Sequence, residues 1–392
     1  VPISYIERVD WDFSFFIPIF IAMLDDVIAA FERQDYGTAA QLLQPLLQTS
    51  PDNPWVQFYA GRLYEELGEL EAAQNVYRKL LKNVTNTKLL AQIRQSLQRL
   101  ETLISELGRR GIAQATTSPN NHQLGVLVLE AIASESKTVA AQNFAQIMEI
   151  EPYAARLQLP SRGWRFYKSG AIGELKFLGQ QLCAAGIPCI WATLAEINQI
   201  RIFQVSYFQY AEPQATVICQ NEQGQMGAMT FNWSEVSDRT LGLLPIFEQV
   251  VDRDVRGKLQ RKTKIQDYAH FCDLLLPSRG CILRIHDHSY QYQKGVTKID
   301  KCEALRARLR YRTTIRISWN SLLDFLSLQL PSTPIWSDFS PFAETIIDQI
   351  ELLKRIPAHI RLLRRTPSTW DSAFTLYSTL VAIKAANKIE EK

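Results

Sequence analysis

Apolar residues Leu89, Leu90, Ile93, Leu97, Leu100, Leu103 and Ile104 fall at helical spacing. Ahead of them, residues 20–87 hold a self-similar unit with a period of about 34 residues, the length at which helical hairpins stack. The pattern breaks at "RRGIAQATTSPNNHQ", Arg109 to Gln123, which is small and polar and reads as a linker. Beyond it the order predicted is strand ("LGVLVLEAI"), helix ("TVAAQNFAQIMEI"), helix ("PYAARLQL"), strand ("WRFYKS"), helix ("ELKFLGQQLCAAG") and strand ("IPCIWATL"). From Ile200 period-two alternation dominates, with "IRIFQVSYF", "ATVICQ", a "NEQG" turn and "QMGAMTFNW" predicting an antiparallel meander. A later block, "CDLLLPSRGCILRI", "SYQYQ" and "RLRYRTTIRISW", continues the theme.

The second helical copy, "NPWVQFYAGRLYEELGELEAAQNVYRKLL", places Gly61, Tyr64, Gly68, Ala73 and Tyr77 where tetratricopeptide repeats carry their small, aromatic and turn residues. Shifted back by the period, Tyr36, Ala39, Leu43 and Pro51 keep the second-helix and exit signals. These residues resemble the tetratricopeptide repeat (TPR) family. Gly61 and Ala73 would let two helices approach, Tyr64 and Tyr77 would fill the gap, and Gly68 would reverse the chain. The helix from Lys88 to Leu107 reads as a cap. The resemblance implies that the first helix of each hairpin lines a concave face. It maps that face onto Trp55, Phe58, Arg62 and Glu65, with Ile21, Leu24, Ile28 and Phe31 in the earlier copy. Such a groove would hold a partner helix or peptide, or would be filled by the chain's own apolar run from residue 13 to 20.

The strand and helix order after the linker, with the phrase "QQLCAAGIPCIW", resembles the carboxy-terminal domain of ribosomal protein L7/L12 and the adaptor ClpS. That resemblance implies recognition of other proteins through surface helices. No match to the acidic and histidine residues of the ClpS pocket is found, so no site is carried over.

The 392 residues suit two or three domains, and 46% hydrophobic with 21% charged content is that of a soluble globular chain. A net charge of +3 provides no global field for nucleic acid. The six cysteines (Cys183, Cys189, Cys219, Cys272, Cys281, Cys302) show no C-x-x-C spacing and read as buried thiols in a reducing cytoplasm. The most apolar run, Phe13 to Leu24, is shorter than the approximately 20 residues of a spanning helix and contains Pro18. The chain opens on Val1, which fits a processed or partial start.

Candidate chemistry is sparse. "LPSRG" occurs at Leu159 to Gly163 and at Leu276 to Gly280, once as a helix exit and once as a hairpin turn, so it reads as turn chemistry used twice. "TFNWSEVSDRTLGLLP" aligns without gaps to "RISWNSLLDFLSLQLP", pairing Trp233 with Trp319, Asp238 with Asp324, Leu244 with Leu330 and Pro245 with Pro331. The alignment suggests two related modules in which a strand ends in tryptophan and hands over to a helix. In "RIHDHSYQY", His286 and His288 on a strand would face one way and could share a metal, but no neighbouring motif supplies further ligands, and a solvated strand end is expected. No metal site and no cofactor is therefore assigned. In "RARLRYRTTIRISW", Arg308, Arg310, Arg312 and Arg316 form one face of a half-buried strand that could meet RNA, phosphate or anionic lipid. Lys354, Arg355, Arg361, Arg364 and Arg365 form a second basic run that would suit a membrane surface or a solvated helix. There is no P-loop, G-x-G-x-x-G, nucleophile elbow or H-E-x-x-H, and the expectation is a non-enzymatic protein.

These readings predict a multidomain α+β chain. It would comprise an apolar segment at 1–19, a TPR-like α-helical solenoid with a capping helix at 20–107, a linker at 108–123 and a βααβαβ domain at 124–196. A β-rich module with a helix would follow at 197–252, then a basic linker at 253–264, a second such module at 265–350 and a C-terminal helical segment at 351–392. The function expected is a cytoplasmic protein-interaction scaffold or assembly factor, free or peripheral to a membrane, that takes a protein or peptide segment into the TPR-like groove. The alternative is an RNA-binding or membrane-surface protein using the arginine face.

Overall fold

The computed structural model describes residues 13–253, 259–296, 315–360, 362 and 368–390. The chain divides into two compact units, Val1–Gly111 and Ile112–Lys392.

The first unit holds helices α1 (Phe13–Glu32), α2 (Tyr36–Thr49), α3 (Pro54–Glu66) and α4 (Leu70–Asn83), and α5 (Thr87–Ala115) begins in it. Polar caps set the starts: the Asp35 carboxylate accepts from Thr38 N–H, and the Asn53 side chain accepts from Trp55 N–H with Pro54 in the first turn. Gly68, at φ +80°, makes the reversal from α3 to α4. Gly61 packs under the Tyr77 ring so closely that a Cβ there would lie 2.6 Å from it. Tyr77 and Ala73 are fully buried as expected, whereas Tyr64, expected to fill the same gap, is exposed. Two boundaries differ from expectation. Residues 13–19 start α1 rather than forming a separate segment, and Arg109 to Ala115 continue α5 because the run through Ile112 keeps its helical hydrogen bonds despite its small residues.

The second unit opens with the anticipated order: β1 (Leu124–Leu129), α6 (Lys137–Ile147), α7 (Pro152–Gln158), β2 (Arg165–Ala171), α8 (Ile172–Ala184) and β3 (Cys189–Thr193). The three strands form an antiparallel sheet in the order β2-β1-β3. A capping box between Thr193 and Glu196 then starts α9 (Leu194–Gln199).

Strands β4 (Arg201–Tyr210), β5 (Ala215–Gln220) and β6 (Met226–Phe231) make the predicted meander. The long β7 (Asp238–Arg253) and β8 (Leu259–Leu276) pair antiparallel, and β9 (Cys281–His286) returns beside β8. The two β-rich blocks expected as separate modules are one seven-stranded sheet, β10-β7-β8-β9-β4-β5-β6, in which β10 is Ile335–Trp336. The blocks join because β9 runs parallel to β4, placing Arg201 opposite Cys281 and Gln204 opposite Arg284.

Helix α10 (Ile315–Gln329) covers one face of this sheet, with Trp319, Leu322 and Leu326 against Cys272, Leu274, Leu283 and Ile285. Helices α11 (Phe339–Glu344), α12 (Ile350–Leu353) and α13 (Thr369–Glu390) cover the other, against Phe271, Leu275 and Ile282. The expected duplication around Trp233 and Trp319 does not hold structurally. Trp233 opens a single 3-10 turn that leads into strand β7, while Trp319 lies inside helix α10. The aligned letters serve opposite periods, since the first copy alternates across a sheet and the second winds onto one.

Both "LPSRG" segments are turns, as predicted. The first leaves α7 and its Gly163 sits at φ +61°, and the second joins β8 to β9 with Gly280 at φ +58°. Their arginines differ in use. Arg279 holds Glu235 in a two-pronged ion pair at 2.5 and 2.8 Å, depressing the Glu235 carboxyl below its usual range, and donates to Thr230 O, whereas Arg162 is exposed.

Candidate functional site

The helical unit is built around one apolar cluster running from Val27 to Leu100. Phe58, expected on an open face, is 4% exposed and stacks edge-on against Trp55 and Tyr59, with Tyr77 tilted beside it. Phe31, from the earlier copy, is equally buried. Both aromatic rings are core because α2 and α4 close over them. Trp55, Leu24 and Ile28 are half-buried, packing on the cluster while keeping part of their surface. The side chain of Ile21, like those of residues 13–20, lies outside the described residues.

The two charged members of the expected face are engaged within the unit. The Arg62 guanidinium stands 4.8 Å over the Phe31 ring and 5.9 Å from that of Tyr59, tying α3 to α1. Glu65 accepts two bonds from Arg99 of α5, at 2.6 and 3.0 Å, and one from the Tyr77 hydroxyl at 3.2 Å. Burial, with Glu65 adding to it, pushes the Tyr77 phenol far above its ordinary value, so it stays a neutral donor. Leu103 and Leu107 follow Arg99 at helical intervals of four, on one face of α5, and both are exposed, as is Leu67 at the end of α3. The helical spacing read from the sequence includes Leu103 in the apolar stripe of α5. Only the packing shows that its far part is uncovered in this unit.

The basic face predicted as a strand fares differently. Arg308, Arg310 and Arg312 lie outside the described residues, as do Arg361, Arg364 and Arg365. Arg316 is described, and it sits in the first turn of α10 with its guanidinium against the His270 ring, so from Ile315 onward this segment is helix and not strand. Lys354 of the second basic run pairs with Glu351 at 2.7 Å, with both side chains solvated.

In the larger unit, polar groups gather on the sheet face under α13. Arg284 and Asp273 form a buried, bidentate ion pair. At the edge of this face a pocket of about 220 Å³ is lined by Ile202, Gln204, Gln220, Asn221, Glu222, His359 and Ile360. His359 holds a left-handed backbone at φ +50°, its Nδ1 lies 3.7 Å from Glu222, and burial lowers its imidazole below the ordinary value. The cysteines are free thiols where described, with Cys219, Cys272 and Cys281 buried as expected. Cys183 is exposed, and its sulfur lies 3.6 Å from that of Cys189. His286 departs from its expected solvated strand end, being 3% exposed.

Among the described residues no helix is long and apolar enough to cross a membrane. No curated protein and no solved structure matches the chain. Residues 30–97, the end of α1 through the first third of α5, match the family model of the tetratricopeptide repeat, the stretch in which two helical hairpins stack on one shared core.

Proposed function

We propose that this protein is a non-enzymatic interaction scaffold or assembly factor whose amino-terminal helical unit takes hold of a segment of another protein. The observation that carries this reading is the tetratricopeptide match over residues 30–97, since such repeats generally bind proteins. The surface proposed is the one left by half-buried Trp55, Leu24 and Ile28, beside the Arg62 bridge. Phe31 and Phe58 support it from beneath. An apolar contact of this kind responds weakly to salt, whereas a phosphate-binding arginine face loses affinity steeply between low and physiological ionic strength.

The test is affinity capture by the full chain against the Trp55→Ala, Leu24→Ala double variant at two salt concentrations, with circular dichroism checking that the helices persist. A partner held by the native chain at both salts and lost by the folded double variant supports the groove. A set of captured proteins unchanged by the double substitution, or one released by salt alone, overturns it.

A further inference from the structure

At the end of β9 the chain turns through His286, Asp287 and His288, and one donor atom from each side chain lies within 4.8 Å of the others. The turn is held from several sides. Asp287 N–H donates to His270 O at 3.1 Å, Ser289 and Tyr290 N–H groups donate back to His286 O, and the Tyr292 hydroxyl donates to Asp287 O at 3.1 Å. The His286 ring is clamped flat against Phe271, centroids 5.0 Å apart and planes 25° apart. Its position is set before anything binds.

Among the described residues neither ring nitrogen of His286 has a hydrogen-bond partner, although the residue is 97% removed from solvent. A buried polar group without a partner costs roughly 1–3 kcal/mol, and proteins rarely keep one without a use. Next to it Asp287, itself buried, accepts from His288 Nδ1 at 2.7 Å, so the carboxylate and the second imidazole are already held together. His288 is the exposed member, which provides an entry from solvent.

We propose that His286, Asp287 and His288 bind a zinc-class divalent ion through two imidazoles and one carboxylate, with the fourth position left to water. Nitrogen donors disfavour calcium and magnesium, which take oxygen ligands, and the absence of a thiolate from the set disfavours copper(I). Metal–ligand bonds of about 2.0–2.2 Å place tetrahedral donors about 3.3 Å apart, so a separation as wide as 4.8 Å would shorten on binding by up to about 1.5 Å. Three protein ligands with an open position is the pattern of reactive rather than purely structural zinc sites. The ion would satisfy one nitrogen of His286 and balance the buried Asp287 charge.

Zn²⁺ is titrated into the full chain against a chromogenic chelator, alongside His288→Ala, Asp287→Asn and Cys183→Ser, with circular dichroism on each. Expected are one zinc per native chain, binding weakened at least about tenfold in both His288→Ala and Asp287→Asn, since even outer partners of a metal cost that much, and no change in Cys183→Ser. Co²⁺ in place of zinc should give visible bands without thiolate charge transfer. A native chain that leaves all zinc on the chelator, equal binding by a folded His288→Ala, or a thiolate band that Cys183→Ser removes overturns the assignment.

Discussion

Asp273 and Arg284 stand opposite each other on β8 and β9, both essentially without solvent contact. Arg284 engages all three of its nitrogens: Nε and Nη2 go to the carboxylate, Nη1 goes to Ala358 O and the Thr375 hydroxyl, and the guanidinium lies 4.9 Å over the Phe374 ring. A pair this enclosed is costly to break from one side, because the remaining charge has no water to turn to. Asp273→Asn should therefore destabilise the larger unit by about 3–5 kcal/mol, read from its urea midpoint, while exchange of both residues for well-packed apolar ones should cost far less. A loss below about 1 kcal/mol for the single change would show that the pair is relaxed by water. Neither residue could be singled out from its letters, since an aspartate in "CDLLL" and an arginine in "ILRI" read as outward positions of alternating strands. Their partnership depends on a register between strands and on a helix arriving nearly a hundred residues later. The same holds for His286, whose H-x-H spacing was visible but whose burial, and whose completion by Asp287, follow from the turn.

Helix α13 was expected only as part of a C-terminal helical segment at 351–392, with no face assigned to it. Its buried side chains include Ala373, Phe374, Leu376, Tyr377, Leu380 and Val381, spread around the helix rather than along one stripe. Such a helix is enclosed by its neighbours, and its 3.6-residue period fades because most of its faces are apolar. It packs so closely on β7 that a Cβ at Gly242 would lie 2.4 Å from the Phe374 ring. Gly242→Ala should cost about 1–3 kcal/mol through overpacking, whereas Gly227→Ala on β6, with open space around it, should stay within about 0.5 kcal/mol. Thermal unfolding of the two variants checks this, and equal melting temperatures would mean that α13 can shift without loss. The helices of the first unit were legible for the opposite reason. Each has a buried stripe, and α2, α3 and α5 start at polar caps, signals that lie within a dozen residues of each other.

At the scale of the whole molecule, the apolar clusters separate by unit. One is confined to residues 27–100, and the others are drawn from residues 112 onward. A chain cut to 112–392 should accordingly fold, with a β-rich circular dichroism spectrum and a cooperative melt, and a fragment that stays disordered would show that its core needs the first unit. The division into modules beyond the linker was the least successful expectation. The meander β4 to β6 and the β8–β9 hairpin were each visible, yet the parallel pairing of β4 with β9 that merges them into one sheet had no local mark.

By itself the sequence determined the repeat length, the helical hairpins of residues 30–97, the βααβαβ order after them and the turn chemistry of both "LPSRG" segments. Each of these rests on propensity, capping or periodicity acting between near neighbours. The tertiary structure alone decided which aromatic rings of the repeats are core, that two strand blocks make one sheet, and that Arg284, Asp273 and His286 are withdrawn from water. Burial and long-range pairing are properties of what comes to cover a residue, and a covering element can be anywhere along the chain.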